Sequence, residues 1–506
     1  MKTKIKKQAS NILMSQAKPS ALPVDTHFHL AVSFHQQGRL EDAAKLYESV
    51  VIANPLHDEA WHMYGLVANK LGNHKQAIEL ITKSINLDSK KAKYFNNRGL
   101  IHQQLLQFTE ALDDFEESLQ LDPNLAQAHC NKGNILQELH RYHEAKDSFS
   151  TAIQIDPQYA DAYFNRGNLW VILKNIEKAI EDFDHALSLL PSDADYTYNK
   201  SMALLLNGEY RLGWELYESR WHRASSKHHK RDFSAPIWLG NENIKDKKIL
   251  LYAEQGLGDT IQFIRYVPMV VKLGAQVFVE IQSPLMQLFK CIEGVTEWSK
   301  KGDSLPYFDF QCPLMSLPFA FKTQLDNIPS FKSYLSCDPV KKNVWRNKLE
   351  SKKRTRIGIA WSGSSIHRND LNRSILLSSF KSIICDDADF YSLQIEYRTH
   401  DIDYINEHPE IIDFSSELKD FSDTACLCNL MDLIITVDTS VAHLSAALGK
   451  LTWVLVPHNP DFRWFNDRQD SPWYPSVKIF RQNSFDNWNQ TLNQIRQELT
   501  KFIATS

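Results

Sequence analysis

Residues Lys247–Pro268 read KKILLYAEQGLGDTIQFIRYVP. An apolar run of strand length, Lys248–Ala253, meets a turn with two glycines and an acid, Asp259, and apolar residues then recur at helical spacing from Thr260 to Gly274. Strand, glycine turn and helix in that order open a βα unit. The alternation continues through QVFVEI (276–281), PLMQLFKCI (284–292) and the strand YFDFQC (307–312). It starts again at RTRIGIAWSGS (354–364), with DFYSLQI (389–395), DLIITV (432–437), a helix from about Thr439 to Leu448, and LTWVLVP (451–457). Such alternation predicts parallel sheets covered on both faces, here in two Rossmann-like lobes, 247–345 and 346–506. Ligands are then expected in the cleft beyond the carboxyl ends of the strands. The last segment, residues 485–506, is an amphipathic helix expected to pack across the lobes.

Upstream the chain matches itself at a step of 34 residues. Alanine recurs at Ala43, Ala77, Ala111, Ala145 and Ala179, and glycine at Gly65, Gly99, Gly133 and Gly167. Proline closes units at Pro55, Pro123, Pro157 and Pro191, with Ser89 in the missing slot; Tyr47, Ile81, Phe115, Phe149, Phe183 and Tyr217 keep the same register. Small residues let paired helices approach, the large side chain fills the gap, and proline stops the second helix. The pattern is similar to the tetratricopeptide repeat and predicts an α-solenoid over residues 23–221, five full repeats plus a degenerate sixth with Gly213 in the alanine column. A terminal repeat is expected to cap the stack or dock on something else.

Asn97, Asn131, Asn165 and Asn199 repeat at the same step. An amide both donates and accepts, which suits the backbone of a bound peptide. A ladder of this kind is associated with peptide binding in the O-linked N-acetylglucosamine transferases. The alternative is a row of solvated side chains common in such repeats.

The 506-residue chain is 43% hydrophobic and 23% charged, with a formal net charge of −4, so no overall field favours nucleic acid. Seven scattered cysteines fit a reducing compartment, and cytoplasm is the expected location. No stretch approaches the length of a membrane span, and residues 1–22 read as a disordered tail. The basic run HRASSKHHKRDFSAPI (222–237) begins a linker, 222–246, and reads as a solvated connection. Its histidines, His222, His228 and His229, lack an acidic or thiolate partner nearby, so no metal site is expected.

Three constellations can carry chemistry. In EQGLGD, Ile261 occupies the place of a third dinucleotide-binding glycine, which argues against a nicotinamide or flavin cofactor. Asp259 can accept a proton from an attacking hydroxyl, or cap the helix that follows. In DLIITVDTSVAHLSAALGK, Thr439 and Ser440 open a helix whose amides suit a diphosphate. Asp438 beside them caps the helix or holds a sugar hydroxyl, while His443 lies one turn on. In WSGSSIHRNDLNRS (361–374), Arg368 and Arg373 can neutralise a departing phosphate, or stand solvated on a surface loop. The aromatic and charged stretch 458–475 either covers a bound nucleotide sugar or packs the lobe edges through Trp464, Trp473 and Tyr474.

GLGDTIQFIRYVP, GIAWSGSSIHRNDLNRS and DLIITVDTSVAHLSAALGK together resemble the signature regions of the ADP-heptose lipopolysaccharide heptosyltransferases, over roughly residues 235–485. The resemblance implies a GT-B type fold and inverting, metal-independent sugar transfer from a nucleotide diphosphate donor, without a cofactor. By it, Asp259 matches the general base, and Gln255, Gly256, Gly258 and Gln262 belong to the acceptor-side turn. Ser362, Arg368, Arg373, Asp438, Thr439, Ser440 and His443 fall on the donor side. The chain departs from the pattern at Arg373, where lysine is usual, and at Leu376, where proline is usual. The function so implied is a glycosyltransferase whose repeats recruit a protein or glycan acceptor. The rival is a scaffold whose repeats bind protein partners beside a lapsed catalytic domain.

Overall fold

A computed structural model describes residues 23–226, 231–349, 351–367, 369–485 and 487–505. The expected tail, His228, His229 and Arg368 lie outside these residues. The chain divides into two compact units, Met1–Leu169 and Trp170–Ser506.

The first unit is built of helical hairpins: Val24–Gln36 with Leu40–Ala53, Asp58–Lys70 with His74–Leu87, Ala92–Gln104 with Phe108–Leu121, and Ala126–Glu138 with Tyr142–Ile155. The glycine and aromatic columns explain each other. A Cβ on Gly99 would sit 2.8 Å from the Phe115 ring, and one on Gly133 would sit 2.6 Å from Phe149. At Gly65 the neighbour is Ile81 at 2.5 Å, so the aliphatic exception in the aromatic column fills the same gap. Ala43, Ala77, Ala111 and Ala145 are fully buried on the facing helices.

The second unit begins with the rest of the fifth hairpin, then Ala194–Asn207 and Tyr210–Tyr217, and continues into two parallel sheets. The first sheet contains β1 (Lys248–Tyr252), β2 (Gln276–Ile281), β3 (Val295–Lys300) and β4 (Phe310–Pro313), in the order β3-β2-β1-β4. The second contains β5 (Thr355–Ala360), β6 (Ala388–Ser392), β7 (Ile411–Ile412), β8 (Leu433–Val437), β9 (Thr452–Val456), β10 (Asp470–Ser471) and β11 (Tyr474–Arg481). Its order is β10-β11-β9-β8-β5-β6-β7, with only β10 antiparallel. Strand order reverses beside β1 in the first sheet and between β5 and β8 in the second, and such reversals open crevices at the strand ends.

Several expectations need correction. The segment 284–292 forms two short 3-10 turns, Ser283–Leu285 and Leu288–Cys291, in place of a helix. The strand β3, VTEWSK, is a partly exposed edge whose polar residues hide it from a hydrophobicity pattern. The carboxyl-terminal helix, Asn489–Ala504, buries Leu492, Ile495 and Leu499 in the core of the second sheet with Trp361 and Trp453, so its apolar stripe serves one lobe. The helix Pro339–Lys348 spans the expected boundary at residue 345, yet Trp345 Nε1 donates to Asp423 at 3.0 Å in the helix Phe421–Asn429. It therefore packs with an element that precedes β8, on the side of the second sheet.

Nor is the described part of the linker a solvated connection. Phe233 packs edge-on against Tyr252 and Phe308, Trp238 is buried with its N–H donating to the Gln311 carbonyl at 2.7 Å, and Arg231 pairs with the buried Glu280. Apolar residues spaced along a basic run are enough to lay it on the edge of the first sheet.

Candidate functional site

The site grows from the ends of β1, β5 and β8. After β1 the chain turns at Gly256 into the helix Leu257–Phe263, and Asp259 reaches back so that its Oδ2 accepts the Gly256 N–H at 2.9 Å. The capping role is therefore filled. Its Oδ1 is bound by the guanidinium of Arg463, which also donates to the Gln262 side chain and, at 2.7 Å, to Asp461. Arg463 is buried, so both acids serve a cation withdrawn from water. Gln255 donates to the Tyr217 hydroxyl at 2.9 Å, and Thr260 is held by Gln282 at 3.0 Å.

After β8, Thr439 caps the helix Ser440–Ala447 by accepting the Val441 N–H at 3.3 Å. The expected cap, Asp438, does not do so, because the side chain with extended backbone immediately before the first turn is the one that reaches its amides. Burial and the neighbouring Asp461 instead push the Asp438 carboxyl up to about 6, against the pull of Trp464, Arg373 and Arg463. Ser440 is the first helical residue, at the mouth of that turn.

His443 is buried one turn further on. It hydrogen-bonds through Nδ1 to the Tyr474 hydroxyl at 2.9 Å and stacks on Trp464. Burial, with Arg463, Arg265 and Arg373 around it, drives its pKa well below the usual histidine value, so the imidazole is neutral. A Cβ on Gly258 would lie 2.9 Å from His443 Cδ2. That glycine makes room for a side chain from the helix after β8.

The loop after β5 joins them. Arg373 donates to the Asp438 carbonyl at 2.9 Å and lies against Gly363, whose absent Cβ would strike the guanidinium at 2.4 Å. Ser362 is buried beneath, its hydroxyl unpartnered. The structure thus brings Asp259, Gln262, Arg373, Asp438, Thr439 and His443 into one neighbourhood of the second unit.

Four residues that the sequence reading passed over belong to it. Arg463 lies in the stretch singled out for its density of aromatics and charge. Arg265, three residues after Gln262, donates to the Trp473 carbonyl at 2.8 Å and the Tyr334 hydroxyl at 3.1 Å, tying the first-lobe helix to β11. Glu254, two residues after β1, and Arg220, after the last hairpin, pair at 3.1 Å while buried. An acid and an arginine at the ends of apolar segments were the available signal. Trp464, Trp473 and Tyr474 are buried and pack, which is one of the two roles considered for them.

The asparagine column behaves differently from a free ladder. Asn97 Nδ2 lies 2.9 Å from His62 Nε2, Asn131 donates to Asn96 at 2.9 Å, and Asn165 donates to Cys130 Sγ at 3.3 Å. Burial and Lys93 lower the His62 pKa to about 4, so the neutral ring accepts. Each amide nitrogen therefore bonds a residue of the preceding repeat. Asn199, which lies in the second unit, is also engaged.

The comparisons bear on the repeat array. The tetratricopeptide repeat family matches residues 92–125, 126–159 and 160–193, and a second tetratricopeptide repeat family matches residues 28–94, so the array is built of these repeats. Protein FlbA of Caulobacter vibrioides is 22% identical over 340 residues, covering 60% of this chain and 55% of its own length. The chain thus spans about half of that relative. The solved structure of the MamA protein is 21% identical over 34% of this chain and 94% of its own, with a TM-score of 0.30. YrrB, described as a protein of this repeat type with an unusual peptide-binding site, is 24% identical over 34% of this chain and 90% of its own, also at 0.30. Among the described residues no helix is long and apolar enough to cross a membrane, and no group of three or more metal-binding side chains is present.

Proposed function

We propose that the second unit is an inverting, metal-independent glycosyltransferase of GT-B type, using a nucleotide-diphosphate sugar and acting on a protein or glycan acceptor that the repeats recruit. One observation carries the reading: three motifs far apart in sequence meet at the carboxyl ends of β1, β5 and β8, beside the places where strand order reverses. Crevices of that kind suit a nucleotide sugar. Arg373 and the start of the helix Ser440–Ala447 supply positive potential for the leaving diphosphate, and charge of this sort can do the work of a metal ion. Neutral His443 and the carboxyl of Asp438, raised by burial, suit hydroxyl groups better than phosphate.

The scaffold reading has support of its own, since both Asp259 oxygens are engaged and Gly258 is filled by His443. Melting the full chain with uridine, adenosine, guanosine and thymidine diphosphates separates the two. A ligand at a hundred times its dissociation constant stabilises by about 2.7 kcal/mol, an easily read rise. Diphosphate release from the matching sugar donor then completes the case. No rise with any of the four favours the scaffold.

A further inference from the structure

The Asp259 carboxylate is fully engaged, whereas a second acid at the end of β1 is not. Glu254 is 8% exposed; its Oε1 accepts from Arg220 at 3.1 Å, and its Oε2 is buried with no hydrogen-bond partner. It lines a cavity of about 450 Å³ with Tyr198, Arg220, Trp221, Arg223 and Lys301. Trp221 Nε1 is likewise buried and unpartnered. The cavity opens at the end of β1, on the side where strand order reverses, and Gln255 and Gly256 of the turn form part of its wall. Tyr198 also feels the charges of Asp461 and Arg463, so the cavity borders the cluster around Asp259.

We propose that this cavity holds the hydroxyl of the acceptor and that Glu254 is the base that takes its proton. The inference rests on the glycosyltransferase reading and deepens it. A hydroxyl in the cavity gives Oε2 the donor it lacks, while the Trp221 N–H offers a donor to the ligand's oxygens. In the reaction the acceptor O–H bond breaks, its proton passing to the Glu254 carboxylate. The freed oxygen forms the new bond to the anomeric carbon, and the bond to the diphosphate oxygen breaks with its electron pair on the leaving nucleotide. Asp259 then acts as a positioning residue, holding Gly256 and Arg463.

The chemistry of the cavity fits the role. Burial pushes the Glu254 carboxyl up to about 7 against the pull of Arg220, with Glu218 and Asp259 pushing the same way. A base works best with a pKa near the working pH. The other charged groups facing it are Arg223 and Lys301 across the cavity, and Tyr217, Tyr252 and Cys312 are its remaining titratable neighbours. Burial raises the pKa values of Tyr198, Tyr217, Tyr252 and Cys312, so these four stay neutral through this range. Since the ionised form is the base, the rate rises as pH rises through about 7.

The test uses the full chain, the donor that passes the assay above, and water as the hydroxyl acceptor, with diphosphate release as readout. The wild-type rate is expected to climb between pH 6 and pH 8. Glu254→Gln, which keeps an oxygen for Arg220, is expected to lose about a hundredfold or more and to flatten the profile, with donor-induced melting shifts unchanged. Glu254→Asp is expected to recover part of the rate. A flat wild-type profile, or a folded Glu254→Gln protein at the parent rate, overturns the inference while the glycosyltransferase reading stands. A wild-type protein that releases no diphosphate from any donor overturns both.

Discussion

The hairpins of residues 24–155 and the last hairpin, Ala194–Tyr217, follow one 34-residue template but bury it against different things. In the second, third and fourth hairpins a glycine on the first helix admits a large side chain from the second, as Gly99 admits Phe115. In the last hairpin the glycine column holds buried Ser201, and the glycine has moved to the second helix, where Gly213 admits Leu205 at 2.8 Å. Its aromatics face away from the template. Trp214 meets Phe263, Phe462 and Trp473 edge-on, and Tyr210 accepts the Trp473 indole N–H at 2.9 Å. A repeat that stops packing on its own kind thus shows it by where its small residues move, and its extra aromatics mark the surface it docks on.

The sharpest way to break that contrast is Trp214→Ala. Truncating a fully buried tryptophan at the meeting point of hairpin and sheets is expected to cost about 4 kcal/mol. Amide hydrogen exchange should show the loss across Trp170–Ser506, with Met1–Leu169 protected as before. A loss spread equally over both units would mean that the last hairpin is energetically one more repeat.

How much of this was legible follows from the same contrast. A 34-residue period is visible because each unit repeats one local solution, so Gly133 and Phe149 announce their contact twice over. The βα alternation was legible for the buried strands β1, β5, β8 and β9, whose apolar runs have no polar face. The strand β3 escaped because an edge keeps Thr296, Glu297 and Lys300 in water, and β11 because Tyr474–Arg481 begins inside an aromatic loop. The candidate site was half legible. Asp259 and Asp438 lie at helix starts and strand ends, positions that local pattern reveals, and Arg373 closes the short helix Asp370–Arg373 in the loop after β5. Arg463 and Glu254 are held in place by partners at residues 259 and 220, and no local pattern reports a contact between chain segments so far apart.

On the regular side the test is Gly133→Ala. The new methyl would strike the Phe149 ring at 2.6 to 2.9 Å, and overpacking of that kind is expected to cost about 2 kcal/mol. Phe149→Leu in the same chain should recover part of the loss, because a smaller and more flexible side chain can move aside for the new methyl. Denaturant titration of the single and double variants measures the coupling. Additive losses would show that the two columns recur for separate reasons.

The smallest effect asks what the asparagine column is for. Asn131 is buried, and its Nδ2 donates to Asn96 Oδ1 across 35 residues of sequence. Asn131→Ala would leave that oxygen without its donor at the join between two repeats, a change expected to cost about 1 kcal/mol. The loss should appear in the melting of the first unit without any peptide present, since the bond is made within the chain. Unchanged melting would mean that the bond contributes nothing to holding the repeats together. The column would then have to be explained by the other face of the amide, and a binding experiment with extended peptides becomes the measurement that decides. A ladder that both staples the repeats and presents its oxygens to a peptide predicts lower melting and weaker binding in the same variant.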